Sequence, residues 1–212
     1  MFRNLVLFIL RIVLPYSAIS ISCVLMLLII LGYSSFRDDV QFLLFKSDYL
    51  DYKIWKTAFY IHVFSAIIAL FAGFTQFSKD FLKDHRKLHR IFGKIYVWNI
   101  LIINFPAGMI LAIYANGELL GKTAFILLDI LWFYFTYKAF IYAHKKDFIA
   151  HKNNMMRSYA LTFSAITLRA WKVILSSNLN IEHSQLYIIE AWIGFIPNLI
   201  IIELIIWFQK TK

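Results

Sequence analysis

The chain has 212 residues, 61% of them hydrophobic and 18% aromatic, with 22 Lys and Arg against 12 Asp and Glu. A soluble domain of this length cannot cover that much apolar surface, whereas a bilayer removes the need to. The basic excess reads as membrane topology and not as nucleic-acid binding, because Lys and Arg collect in cytoplasmic loops; the single cysteine, Cys23, excludes a disulfide framework and a thiolate zinc site.

A membrane span needs about 20 apolar residues. In chain order the candidates are 12–31, 57–77, 95–114, 123–142, 159–177 and 186–208. Arg3 followed by an apolar run resembles a secretory leader. The run continues to Leu31 with no small-x-small cleavage site after it, so a retained first span is expected. Pro106 and Pro197 fall inside spans, where neighbouring helices can satisfy the freed carbonyl. No long polar stretch interrupts the pattern, which predicts one membrane domain over 1–212.

Loop charge predicts orientation. Segment 79–94 carries Lys79, Lys83, Arg86, Lys87, Arg90 and Lys94 against Asp80 and Asp84, and 145–157 carries four basic residues against Asp147. Segment 37–53 holds Asp38, Asp39, Asp48 and Asp51. The basic loops and both termini are therefore expected on the cytoplasmic side. The expected fold is an all-α polytopic membrane helix bundle with about six transmembrane helices.

Several apolar runs contain an ionisable residue: His62, Asp129, Arg169 and Glu203. Such groups are costly near a bilayer centre and mark pathways, ion pairs or binding sites. Position along a span converts to depth at about 1.5 Å per residue. This sorts His62, Asp129, Arg169 and Glu190 into an outer tier. Gln76, His89, Arg90, Tyr96, Asn99, His144, His151, Arg157 and Glu203 form an inner one. The tiers lie about 15–20 Å apart, too far for one small ligand to touch both. Two stripes of small and polar residues, His62/Ser65/Ala69/Gly73/Gln76 and Ser158/Thr162/Ala165/Arg169, are expected to face other helices.

The stretches His89-Arg90-Ile91-Phe92-Gly93-Lys94-Ile95-Tyr96-Val97, His151 to Arg169, and Ala191 to Leu199 with Glu203 together resemble a bacterial family of predicted membrane proteins, domain of unknown function 2306. His62 and Gly73-x-x-Gln76 fit the same pattern, so the resemblance runs from about His62 to Glu203. Where the pattern has a tryptophan before Met-x-Arg, this chain has Met155. The resemblance implies an inner-membrane, multi-pass protein and supplies no activity. The polar positions it implies are His62, Gln76, His89, Arg90, Tyr96, His151, Arg157, Arg169, Asn198 and Glu203; Asp129 is singled out by depth alone.

Two functions compete. Histidines on the helices of a small membrane bundle suit haem b or a transition metal. On that reading His89 and His151 are ligands near the cytoplasmic face, with Arg90 and Arg157 for haem propionates, in a redox or assembly protein with a membrane redox partner or in a homo-oligomer. A second haem is not expected, since the outer tier offers only His62. Alternatively, a cofactor-free proton-linked transporter or assembly factor would use His62, Asp129, Arg169, Gln76, Tyr96, Asn198 and Glu203 as a buried polar site. Hydrolase and transferase chemistry has little support: D-x-x-x-D, H-E-x-x-H, G-x-S-x-G and a phosphate-binding glycine loop are all missing.

Overall fold

The computed structural model describes residues 14–74, 76, 79–178 and 181–211. The chain divides into two compact units, Met1–Ser47 and Asp48–Lys212. The retained-leader reading and Arg3 lie outside the described residues. In the first unit, helix α1 (Leu14–Leu31) is followed by a turn in which Arg37 donates to both carboxylate oxygens of Asp39, at 2.9 and 2.5 Å. The guanidinium beside it holds the Asp39 carboxyl below the usual carboxylate range.

The second unit contains α2 (Lys53–Phe74), α3 (Lys79–Asp84), α4 (Arg86–Trp98), a π-helical stretch (Asn99–Asn104), α5 (Phe105–Ile113), α6 (Glu118–His144), α7 (Phe148–Thr162), α8 (Ser164–Asn178), α9 (His183–Ile193) and α10 (Ile196–Lys210). Four helical stretches among the described residues are long and apolar enough to cross a membrane: Lys53–Gly73, Arg86–Ile113, Glu118–His144 and His183–Lys210. The all-α, multi-pass class stands, but the expected count of about six spans is corrected to four. The run at 159–177 fails because the helix breaks at Phe163. This leaves two 15-residue helices, α7 and α8, each about 22 Å long against a hydrocarbon core of about 30 Å. The run at 12–31 is helical from Leu14 to Leu31, and its described apolar stretch, Ser20–Leu31, is not among the four. The charge-based orientation was laid over six crossings and loses that framework.

Local chemistry accounts for the joints. Gly117, at φ 79°, takes the left-handed conformation that turns the chain into α6. Asp147 caps α7 by accepting from the Ala150 N–H at 3.0 Å, which closes the short turn between α6 and α7. The stretch Arg86–Ile113 continues as one rod because the π turn absorbs an extra residue without ending the helix. Pro106 then sits in the first turn of α5, where a missing N–H costs least. α7 packs along α6, and α2 along the rod made by α4, the π turn and α5. Between them lies a core that includes Ala69, Ala72, Tyr96, Ile100, Ala124, Trp132, Ala139 and Leu161. Small residues bring the helices close. A Cβ on Gly73 would lie 2.5 Å from the Tyr159 ring and 2.9 Å from the Tyr96 ring. The first expected stripe does face inward, with Ser65 and Ala69 buried.

Candidate functional site

The middle of the bundle is held by a hydroxyl cluster. The fully buried Tyr96 hydroxyl bonds the Ser158 and Thr162 hydroxyls at 2.8 Å each, and Ser158 bonds the Thr136 hydroxyl at 2.6 Å. Trp132 Nε1 donates to Thr162 at 2.9 Å. Thr136 also donates back to the Trp132 carbonyl, and Thr162 to the Ser158 carbonyl. Five contacts thus draw on four hydroxyl protons, so one contact is without a proton at any instant and the cluster has interchangeable arrangements. Tyr96 was expected in the inner tier and Ser158 and Thr162 in a packing stripe. Trp132 and Thr136 were missed, because each alone looks like an ordinary residue of an apolar helix.

Toward the end of the bundle where α4 and α7 begin, the structure brings two histidines into each other's electrostatic range. A charge on His151 or on Arg90 is felt at His89. The His151 Nδ1 lies 2.8 Å from the Ala139 carbonyl of α6. A carbonyl can only accept, so Nδ1 carries a proton. His89 Nδ1 is buried and has no hydrogen-bond partner. Arg90 is exposed next to it. His144, by contrast, is turned back on the Phe140 carbonyl at 3.0 Å.

Other residues of the expected inner tier serve as joints. Arg157 grips Glu203 through Nε and Nη2, at 2.5 and 2.8 Å, tying α7 to α10, and its guanidinium lies over the Phe135 ring. Asn198, a position implied by the resemblance and not part of that tier, donates to the Ala160 carbonyl and the Thr167 hydroxyl, joining α10 to α7 and α8. Gln76 approaches Gly93 of α4, where a Cβ would meet Oε1 at 3.0 Å.

The outer tier is partly assembled. His62 of α2 lies beside the Asn104 backbone and within electrostatic range of Arg169. Arg169 Nη1 donates to the Ala165 carbonyl one turn back, at 2.7 Å. Asp129 rests on Gly108 of α5, with Oδ1 2.9 Å from where a Cβ would stand. Glu190, also buried, is within electrostatic range of Lys172 and His183. Asn104, fully buried at the end of the π turn, was missed by the sequence reading. An amide inside Asn99-Ile-Leu-Ile-Ile-Asn104 was the available signal.

A family model described as "Predicted membrane protein (DUF2306)" matches residues 59–206, more than half of the chain. The chain belongs to this family. No curated protein and no solved structure matches it. This DUF2306 member, with four helices among the described residues long and apolar enough to cross a membrane, is a multi-pass protein of the bacterial inner membrane. All the polar positions that the resemblance implied lie inside the matched region. Met155, where the pattern has tryptophan, is buried in the core, a packing position in this chain.

Proposed function

We propose that this DUF2306 protein is a membrane redox protein that holds one b-type haem, or one transition-metal ion, between His89 and His151. The observation that carries the reading is the state of the two rings. His151 donates one ring proton to a backbone carbonyl, as metal-binding histidines do to fix the tautomer and strengthen the other nitrogen. His89 has a buried nitrogen with no partner, an arrangement that costs stability unless something meets it.

Among the described residues no group of three or more His, Cys, Asp or Glu could hold a metal ion. A porphyrin supplies most of the iron's ligands itself, so two histidines would suffice to hold a haem. The bound group would supply one-electron exchange. His151 of α7, oriented by the Ala139 carbonyl, and His89 of α4 would hold the group. Arg90, exposed and adjacent, suits a propionate. Arg157 is engaged by Glu203 and fixes α7 against α10 instead. A one-electron carrier needs a donor and an acceptor, so a membrane redox partner follows from the same reading.

The test is the visible spectrum of the protein purified from membranes, with and without dithionite. A reducible haem band that is lost in H89A and in H151A, and kept in H62A and H144A, supports the proposal. A colourless preparation without iron or copper refutes it, as does a band lost in H62A and kept in H89A.

A further inference from the structure

Three buried polar atoms without a hydrogen-bond partner lie on α2, at the start of α5 and on α6, with α5 packed against both of the other helices: His62 Nδ1, Asn104 Oδ1 and Asp129 Oδ2. Asn104 is 0% exposed and Asp129 6%. Asn104 and Gly108 stand four residues apart, on one face at the start of α5. The Asp129 carboxyl lies against Gly108, and His62 lies beside the Asn104 backbone. The Asp129 carboxyl, the Asn104 residue and the His62 imidazole are therefore grouped along about one helical turn of α5.

The Asn104 amide nitrogen is already committed, donating to the Asn99 carbonyl at 3.4 Å, while its buried oxygen has no donor. With Asp129 ionised, the turn would present a carboxylate and an amide oxygen, both acceptors with nothing to accept, in the apolar interior of a membrane bundle. A lone buried carboxylate costs several kcal/mol or more. A single proton on Asp129 removes the charge and gives the carboxyl a hydrogen to donate.

We propose that Asp129 is a proton-binding carboxyl of the membrane interior, holding one proton at neutral pH and donating it to Asn104 Oδ1. His62 of α2 is the titratable group placed at the same turn. The facing stretch 99–113 carries none. Arg169 of α8 acts on His62, and Glu190 of α9, which packs against α6, is within electrostatic range of Lys172 and His183. The site is separate from the histidine pair, and the proposal stands whether or not a haem is bound there.

An apolar carbodiimide adds to a protonated carboxyl: the acid proton passes to a carbodiimide nitrogen, the carboxyl oxygen bonds to its carbon, and rearrangement leaves an N-acylurea. The full chain in lipid nanodiscs, treated with dicyclohexylcarbodiimide and mapped by peptide mass spectrometry, is expected to carry the adduct on Asp129 at neutral pH. Labelling should fall as the pH is raised and disappear in D129N. Losing the amide acceptor in N104V should slow labelling about tenfold, the worth of one buried hydrogen bond. Glu203, paired with Arg157, is the internal control. Labelling of Asp129 no faster than of Glu203, or protection by sodium at constant pH, would overturn the proposal. An infrared carboxylic-acid band lost in D129N tests it independently of reagent access, and no difference between the two spectra would also overturn it. The same results are expected in H151A, which separates this proposal from the redox reading.

Discussion

Replacing Tyr96 by Phe removes one oxygen from the centre of the bundle and leaves the ring that packs against Gly73 in place. Two contacts vanish, to Ser158 and Thr162, and one proton vanishes with them. The remaining three contacts, Ser158 with Thr136, Thr136 with the Trp132 carbonyl and Thr162 with the Ser158 carbonyl, then match three protons, so no hydroxyl hydrogen is left without an acceptor. Side-chain hydrogen bonds between membrane helices contribute about 0.6 kcal/mol on average and up to about 1.7, so Y96F should cost about 1 kcal/mol. The informative quantity is the coupling in a double-mutant cycle with Thr162→Val, which keeps the shape and deletes the hydroxyl. We expect about 0.5–1.5 kcal/mol, measured by reversible unfolding in mixed micelles with helical circular dichroism as readout. Strict additivity of the two substitutions, or a Y96F cost above about 3 kcal/mol, would refute the proton count.

Gly73→Ala should destabilise the protein by about 1–3 kcal/mol, because the added methyl falls 2.5 Å from the Tyr159 ring. A second substitution, Tyr159→Leu, should recover part of the loss, and its failure to do so would place the conflict elsewhere. Arg157→Gln and Glu203→Gln should each lower the unfolding midpoint. The double variant should cost less than their sum, with a coupling of about 1 kcal/mol, the upper end for a partly exposed pair. Asp39 has a depressed folded-state pKa, so any stabilisation from its pair with Arg37 is present above the unfolded pKa and lost as pH falls through the folded one. Both groups are exposed, so the effect belongs in the titration and not in stability: an NMR titration of the Asp39 carboxyl should move upward in R37Q, and an unchanged curve would show that the pair does not form.

Much of this architecture is legible in the residues. Length and apolar content suffice for the four crossing helices, since those runs carry few charges and continue for 21 to 28 residues. The same criteria mislead at 159–177, where composition averages over a break. Phe163 interrupts the helix, and His151, Lys152, Asn153 and Asn154 make the preceding part polar. Depth arithmetic foresees that His89 and His151 share a level, because both begin their helices at the same end. It does not foresee that Arg157 is engaged by Glu203, since helix rotation depends on packing between α7 and α10. The outer tier divides for the same reason. His62 and Arg169 sense each other, Asp129 meets α5, and Glu190 faces other partners. The π turn at Asn99–Asn104 turns Asn104 inward, and a regular 3.6-residue period does not anticipate that register shift.

The histidine pair is tested most directly by counting. Protein purified from membranes and assayed for haem, iron and copper per chain should hold one equivalent of a single species in the wild type and none in the H89A/H151A double variant. H62A should keep the full equivalent. A wild-type protein without haem, iron or copper, or a double variant with the wild-type content, would contradict the account.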